Sequence, residues 1–95
     1  MAGYVIAQIE VTNPDKYKDY LANVTDIITK FGGEVLVRGG NFKRVEGEWS
    51  NSRNVVIKFP SYEKALEWYH SDEYKPVRQI RLDNAVSNQI IIKGV

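Results

Sequence analysis

From Tyr4 to Thr12 apolar and polar residues alternate. Val5, Ala7, Ile9 and Val11 fall on one face, and Tyr4, Ile6, Gln8 and Glu10 on the other. A period of two with β-branched residues predicts a strand. The pattern then changes. Asn13-Pro14-Asp15 reads as a helix start. Asn can cap the free N–H groups, Pro is tolerated in a first turn, and Asp suits the positive end of the helix dipole. Tyr17, Tyr20, Leu21, Val24, Ile27, Ile28 and Phe31 follow at three- and four-residue spacing, which makes one apolar helical stripe. Gly32-Gly33 ends it, because glycine takes left-handed backbone angles cheaply.

Glu34 to Arg38 predicts a second strand. Gly39-Gly40-Asn41 turns the chain, and Phe42 to Glu48 reads as a short, polar third strand. Trp49 to Arg53 is expected as a loop around Ser50-Asn51-Ser52. Asn54 to Phe59 is a further strand with Val55, Ile57 and Phe59 on one face, and Pro60 ends it. Ser61 caps a helix whose apolar side is Tyr62, Ala65, Leu66 and Tyr69. Trp68 falls off that side, and so is expected at a partner chain or a pocket mouth. Ser71-Asp72 reads as a new cap, with a second helical piece to about Asn84 that accommodates Pro76 in its first turns. Gln89 to Lys93 closes the chain as a strand through Ile90, Ile91 and Ile92.

This order is the ferredoxin-like βαββαβ pattern with an extra hairpin strand and a broken second helix. It makes one α+β domain over residues 1–95, a mainly antiparallel sheet with its helices on one face. The other face should then meet water, yet it reads as mixed. Tyr4, Ile6, Leu36, Val56 and Ile91 sit there beside Gln8, Glu10, Arg38 and Lys58. Such a face suits a second sheet packed over it, so a homodimer is expected.

Composition narrows the picture. The chain has 95 residues and no cysteine, which excludes disulfides and thiolate zinc sites. A domain this short buries about 60–65% of its unfolded surface, and association between chains is the common remaining route to more burial. Lys and Arg number 13 against 12 Asp and Glu, for a net charge of +1. That balance gives no footprint for nucleic acid or an anionic membrane. The N-terminus lacks a basic leader, and no stretch reaches the roughly 20 apolar residues that span a bilayer. A cytoplasmic location is expected.

The residues also carry a resemblance. Gly3-Tyr4, Pro14 with Tyr17 and Tyr20, and Gly32-Gly33 begin it. Leu36-Val37-Arg38-Gly39-Gly40, Glu46-Gly47 and Trp49 continue it. Arg53, Phe59-Pro60-Ser61, Ala65, Trp68-Tyr69, Ser71, Tyr74 and Arg81 complete it. The chain resembles the uncharacterised family catalogued as domain of unknown function 1330, within the dimeric α+β-barrel superfamily. The resemblance implies two chains pairing their sheets face to face, with a pocket between sheet and helices in each. It implies no reaction. His70 stands where the family pattern usually has Asn, and Asp72 where Pro is frequent.

Candidate chemistry centres on a few side chains. Arg38, beside a Gly-Gly turn, can offer its planar fork to a carboxylate or enolate, or pair with Glu46 to pin the hairpin. Glu46 is a general base if burial raises its pKa, or a structural carboxylate held by an arginine. His70, the only histidine, is a candidate base near neutral pH or a surface or capping residue. A metal site is not expected: there is one histidine, no cysteine, and only Glu67 and Glu73 nearby. No cofactor is expected. Arg78 and Arg81, three apart, read by default as a solvated basic face, and the resemblance offers the alternative that Arg81 points inward toward Ser71 or Tyr74. A small-molecule pocket is expected from Tyr20, Arg38, Glu46, His70, Ser71, Tyr74 and Arg81. Its occupant is expected to be a small organic acid or similar metabolite, turned over without a cofactor. A metabolite sensor and a purely structural dimer remain the alternatives. Similar barrels in the wider superfamily perform cofactor-independent oxygenation, isomerisation or haem chemistry, an analogy of fold that does not fix function.

Overall fold

The structure, a computed structural model, describes residues 1–49 and 53–95. The expected loop positions 50–52 lie outside the described residues. Strand β1 (Gly3–Val11) leads into α1 (Pro14–Lys30). The Asn13 side chain accepts from the Lys16 N–H at 3.3 Å, and Pro14 opens the helix. Gly32, at φ +82°, lets the chain reverse into β2 (Glu34–Arg38). Then come β3 (Arg53–Phe59), α2 (Tyr62–His70), α3 (Tyr74–Asn84) and β4 (Ala85–Lys93). Ser61 caps α2 by accepting from the Lys64 N–H at 3.1 Å.

The sheet runs in the order β2-β3-β1-β4, every neighbouring pair antiparallel. That is the ferredoxin-like α+β arrangement. One face is covered by the helices. Val5, Ala7 and Ile9 of β1 and Ile57 and Phe59 of β3 are buried there against Tyr17, Tyr20, Val24 and Ile28 of α1 and Ala65 and Trp68 of α2. Gly3 marks the closest approach of sheet and helix. A Cβ there would lie 2.5 Å from the Tyr62 Cα and 2.6 Å from the Ser61 carbonyl oxygen.

Four expectations are corrected. Phe42 to Glu48 is no strand, and its side chains are exposed. Only Phe42 and Val45 are apolar in it, three apart, so no alternating face exists to bury. Second, an irregularity in the β2–β3 register between Val35 and Val37 exchanges the faces of the residues that follow. Val37 lies opposite Val56 on the open face, and Arg38 opposite Val55 on the helix-covered face. Third, β4 begins at Ala85, because β1 offers partners along its whole length. Its register puts Ile91 opposite the buried Val5, so Ile90 and Ile92 occupy the open face instead. Fourth, Trp68 is a core residue, 1% exposed, stacked on Tyr74 at 4.3 Å and Phe59 at 5.3 Å. With Ala65 three residues earlier it forms the inward side of α2.

Candidate functional site

Two hollows lie on opposite sides of the sheet. The first, about 170 Å³, sits between α1 and the helix-covered face. Its floor is apolar, with Ile9, Val24, Ile28, Val55 and Ile57, and Tyr17 and Tyr20 of α1 also line it. Arg38 and Arg53 supply the charge. The register places both on this side, Arg38 opposite Val55 and Arg53 opposite Ile9. Gly39, at φ +64°, leaves room for the Arg53 stem, because a Cβ there would come within 2.7 Å of the Arg53 Cγ. No described carboxylate forms an ion pair with Arg38 or Arg53; the ion pairs lie elsewhere on the surface.

Two hydrogen-bonded pairs of polar groups lie near the cavity. The Tyr20 and Tyr74 hydroxyls are hydrogen-bonded at 2.7 Å in the interior. Arg81, only 2% exposed, donates through Nη1 to the Ser87 hydroxyl, and its Nε is buried without a partner. Burial disfavours the guanidinium charge, yet the neighbouring Tyr74 and Tyr20 hydroxyls outweigh burial and hold the Arg81 pKa above its usual value. Burial, reinforced by Tyr74, pushes the Tyr20 phenol far above its ordinary value. Burial also raises Tyr17, while Arg53 and Arg81 oppose the shift. Both phenols are therefore protonated donors at neutral pH.

The other expected site residues go elsewhere. Glu46 lines the second hollow, a groove of about 400 Å³ on the open face between the sheet and the 40–49 segment. Arg38 and Glu46 therefore do not pair. His70 is exposed at the end of α2, with its ring edge-on to Tyr69 at 5.2 Å. It borders a shallow groove over β4 with Tyr62, Leu66, Tyr69, Gln89 and Ile91. Ser71 donates to the Trp68 carbonyl at 2.9 Å and accepts from the Tyr74 N–H at 3.1 Å, so its hydroxyl joins α2 to α3. Arg78 is not simply solvated. It donates to the Tyr69 carbonyl at 2.7 Å and lies 4.8 Å above the Tyr69 ring. Of the expected pocket, the fold hydrogen-bonds Tyr20 to Tyr74, buries Arg81 against Ser87, and puts Arg38 on the same cavity as Tyr20. Glu46, His70 and Ser71 are outside it. Sequence reasoning gave no pocket role to Arg53 or to Ser87. Arg53 could have been found from strand parity with Val55 and Ile57; Ser87 lay in a stretch with no strand signal.

Among the described residues no three His, Asp or Glu side chains gather to hold a metal ion. No helix there is long and apolar enough to cross a membrane.

Residues 2–95 match the family described as Domain of unknown function (DUF1330). The chain belongs to that family. No curated protein matches it. Among solved structures it is similar to RPA0582, a protein of unknown function from Rhodopseudomonas palustris, with a TM-score of 0.77 at 17% identity over 99% of this chain and 82% of that one. It is also similar to SnoaB, a cofactor-independent oxygenase from Streptomyces nogalater, with a TM-score of 0.66 at 8% identity over 99% of this chain and 93% of that one. Rv0793 from Mycobacterium tuberculosis aligns with a TM-score of 0.56 at 14% identity over 100% of this chain and 96% of that one. These likenesses, all at 17% identity or below, are ones of fold alone.

Proposed function

We propose that the chain works as a cytoplasmic homodimer and that each subunit holds a small organic acid in the cavity between α1 and the sheet. One observation carries the ligand reading. Arg38 and Arg53 face an apolar hollow lined by two phenols, and no described carboxylate neutralises them. A guanidinium offers two parallel N–H donors that match a carboxylate. The apolar floor suits the body of such an acid. At about 170 Å³ the cavity compares with the engineered cavity of about 150 Å³ that takes up benzene.

The dimer reading rests on the open face. Ile6 is 37% exposed, Val37 39%, Ile92 46% and Ile90 55%, and their register makes them neighbours across the strands. Contiguous exposed apolar residues on one sheet face are the mark of an interface. A second copy presenting the same face covers them with one self-complementary contact.

The likeness to a cofactor-independent oxygenase motivates an assay for oxygen-dependent turnover of the bound acid without added cofactor. A non-catalytic, sensing role is favoured by a specific feature: among the described residues no carboxylate or imidazole lines the cavity, so they supply no general base there at neutral pH. The test is a melting screen of the purified protein against small carboxylic acids and their neutral amides. Acids should raise the melting temperature and amides should not. Arg53→Gln should remove the difference. Equal response to acids and amides, or none to either, sinks the ligand reading. Sedimentation at micromolar concentration tests the dimer, and a monomer there sinks it.

A further inference from the structure

The cavity between α1 and the sheet has two unlike ends. β2 and β3 are antiparallel, so the end of β2 lies beside the start of β3. Arg38 closes β2, Arg53 opens β3, and both line the cavity. The Arg53 stem packs against Gly39, the residue after Arg38, where a Cβ would meet the Arg53 Cγ at 2.7 Å. Both arginines therefore belong to one end. At the other end Val35 pairs with Ile57. Ile57 lies four residues along β3 from Arg53, about 13 Å in an extended strand. Ile28 of α1 closes that far end. It packs against Gly33, just before β2, and Phe59, the last residue of β3. A Cβ on Gly33 would lie 2.5 Å from the Ile28 Cγ2 and 2.8 Å from the Phe59 Cε1, so the space beyond Ile28 is filled. Among the described residues Arg38 and Arg53 are the only charged side chains in the cavity lining. The far end thus offers no partner to a second charge, and burying a charge without a partner is unfavourable.

We infer that the cavity selects an amphipathic monocarboxylic acid and holds it in one orientation. The carboxylate sits on Arg38 and Arg53, and the apolar tail runs along Val24, Val35 and Ile57 as far as Ile28. Ile28, seated against Gly33 and Phe59, is the residue that limits tail length. The volume of about 170 Å³ admits a tail of about benzene's size. A dicarboxylic acid of the same length is discriminated against, because its second charge would lie among Val35, Ile57 and Ile28. The inference rests on the ligand reading above and deepens it, by naming the class of acid and its direction in the cavity.

The experiment is isothermal titration of the full-length protein with butyrate, pentanoate, hexanoate and octanoate, and with adipate, the dicarboxylate that matches hexanoate in length. Affinity should rise about fifteenfold from butyrate to hexanoate, the effect of burying two methylenes. Octanoate should gain nothing further. Adipate should bind at least about tenfold more weakly than hexanoate. These comparisons use the wild type and need no substitution. Two variants then address the ends separately. Arg53→Gln should weaken every monocarboxylate by a similar factor, about tenfold, and leave the gain per methylene intact. Ile28→Val removes one methyl from the end wall. It should let octanoate overtake hexanoate while butyrate stays within about twofold.

The outcomes separate the two claims. If the acids bind but affinity is level from butyrate to hexanoate, or adipate equals hexanoate, the one-ended cavity is overturned and the ligand reading stands. If Arg53→Gln abolishes the gain per methylene and Ile28→Val weakens butyrate as much as octanoate, head and tail are not placed as inferred and the orientation fails. If the wild type takes up none of these acids and none of the melting screen, the ligand reading falls and the orientation falls with it.

Discussion

The two faces of the sheet are made from the same strands, yet they serve opposite ends. On the helix-covered face apolar residues meet apolar residues and are lost to water, as Val5, Ile57, Phe59 and Trp68 show. On the open face residues of the same types remain exposed, as Ile6, Val37, Ile90 and Ile92 show. Hydrophobicity alone therefore does not say which side is the core. The helices decide it, by covering one side and leaving the other exposed. The charged residues divide as well. Arg38 and Arg53 belong to the covered side, where two guanidinium groups lie beside an apolar hollow, whereas Lys58 belongs to the open side.

The largest expected contrast comes from truncating one aromatic on the covered face. Trp68→Ala should cost about 3–5 kcal/mol in urea denaturation, because it removes the ring that Phe59 and Tyr74 stack against. Ile90→Ala on the open face should cost less than about 1 kcal/mol when measured on the monomer, since that side chain is already 55% exposed. Equal losses would erase the distinction between the faces.

The open face is tested by charge. Ile6 and Ile90 are direct cross-strand partners. Ile6→Glu with Ile90→Glu should convert a dimer to a folded monomer in sedimentation, with its circular dichroism unchanged. A variant that stays dimeric would place the interface elsewhere.

The covered face has a pH signature. Tyr20 and Tyr17 hold raised pKa values in the folded chain, chiefly through burial, against an ordinary value of 10.0. Above about pH 10 the unfolded chain releases these protons and the folded chain keeps them. Stability should therefore be level through neutral pH and fall as the pH climbs past 10, by up to about 1.4 kcal/mol per pH unit for each buried phenol. Urea midpoints taken from pH 8 to 11 measure the slope, which Tyr20→Phe should reduce. A slope identical in that variant would show that Tyr20 ionises freely.

The smallest effect belongs to neither face. Lys30 and Glu73 join the end of α1 to the start of α3 at 2.7 Å, both largely exposed. Lys30→Ala should change stability by less than about 1 kcal/mol. A larger loss would make this pair part of the architecture that holds the helices over the sheet.

Much of this protein could be read from local pattern. The alternation of Tyr4 to Thr12, the caps at Asn13 and Ser61, and the stripe from Tyr17 to Ile28 each depend on neighbours a few residues away. They therefore survive into the structure nearly unchanged. The site was legible only in pieces. Tyr20, Arg38, Tyr74 and Arg81 were chosen by residue type and resemblance, and the fold hydrogen-bonds the two phenols while the buried arginine turns to Ser87. Glu46 and His70 were chosen for chemistry alone, and nothing in a linear pattern could place them on the other side of the sheet or beyond its edge.

What the sequence determined by itself is the set of elements and the class of fold, because helix and strand periods are local properties of the chain. What only the tertiary structure decided is the facing of residues near irregularities. One bulge before Val37 sent that valine to the open face and Arg38 to the cavity side. A shift of one residue in a period-two element reverses every side chain beyond it, and such a shift is set by partners in other strands. The place of Arg38 beside Arg53, and so the candidate anion site, comes from that pairing.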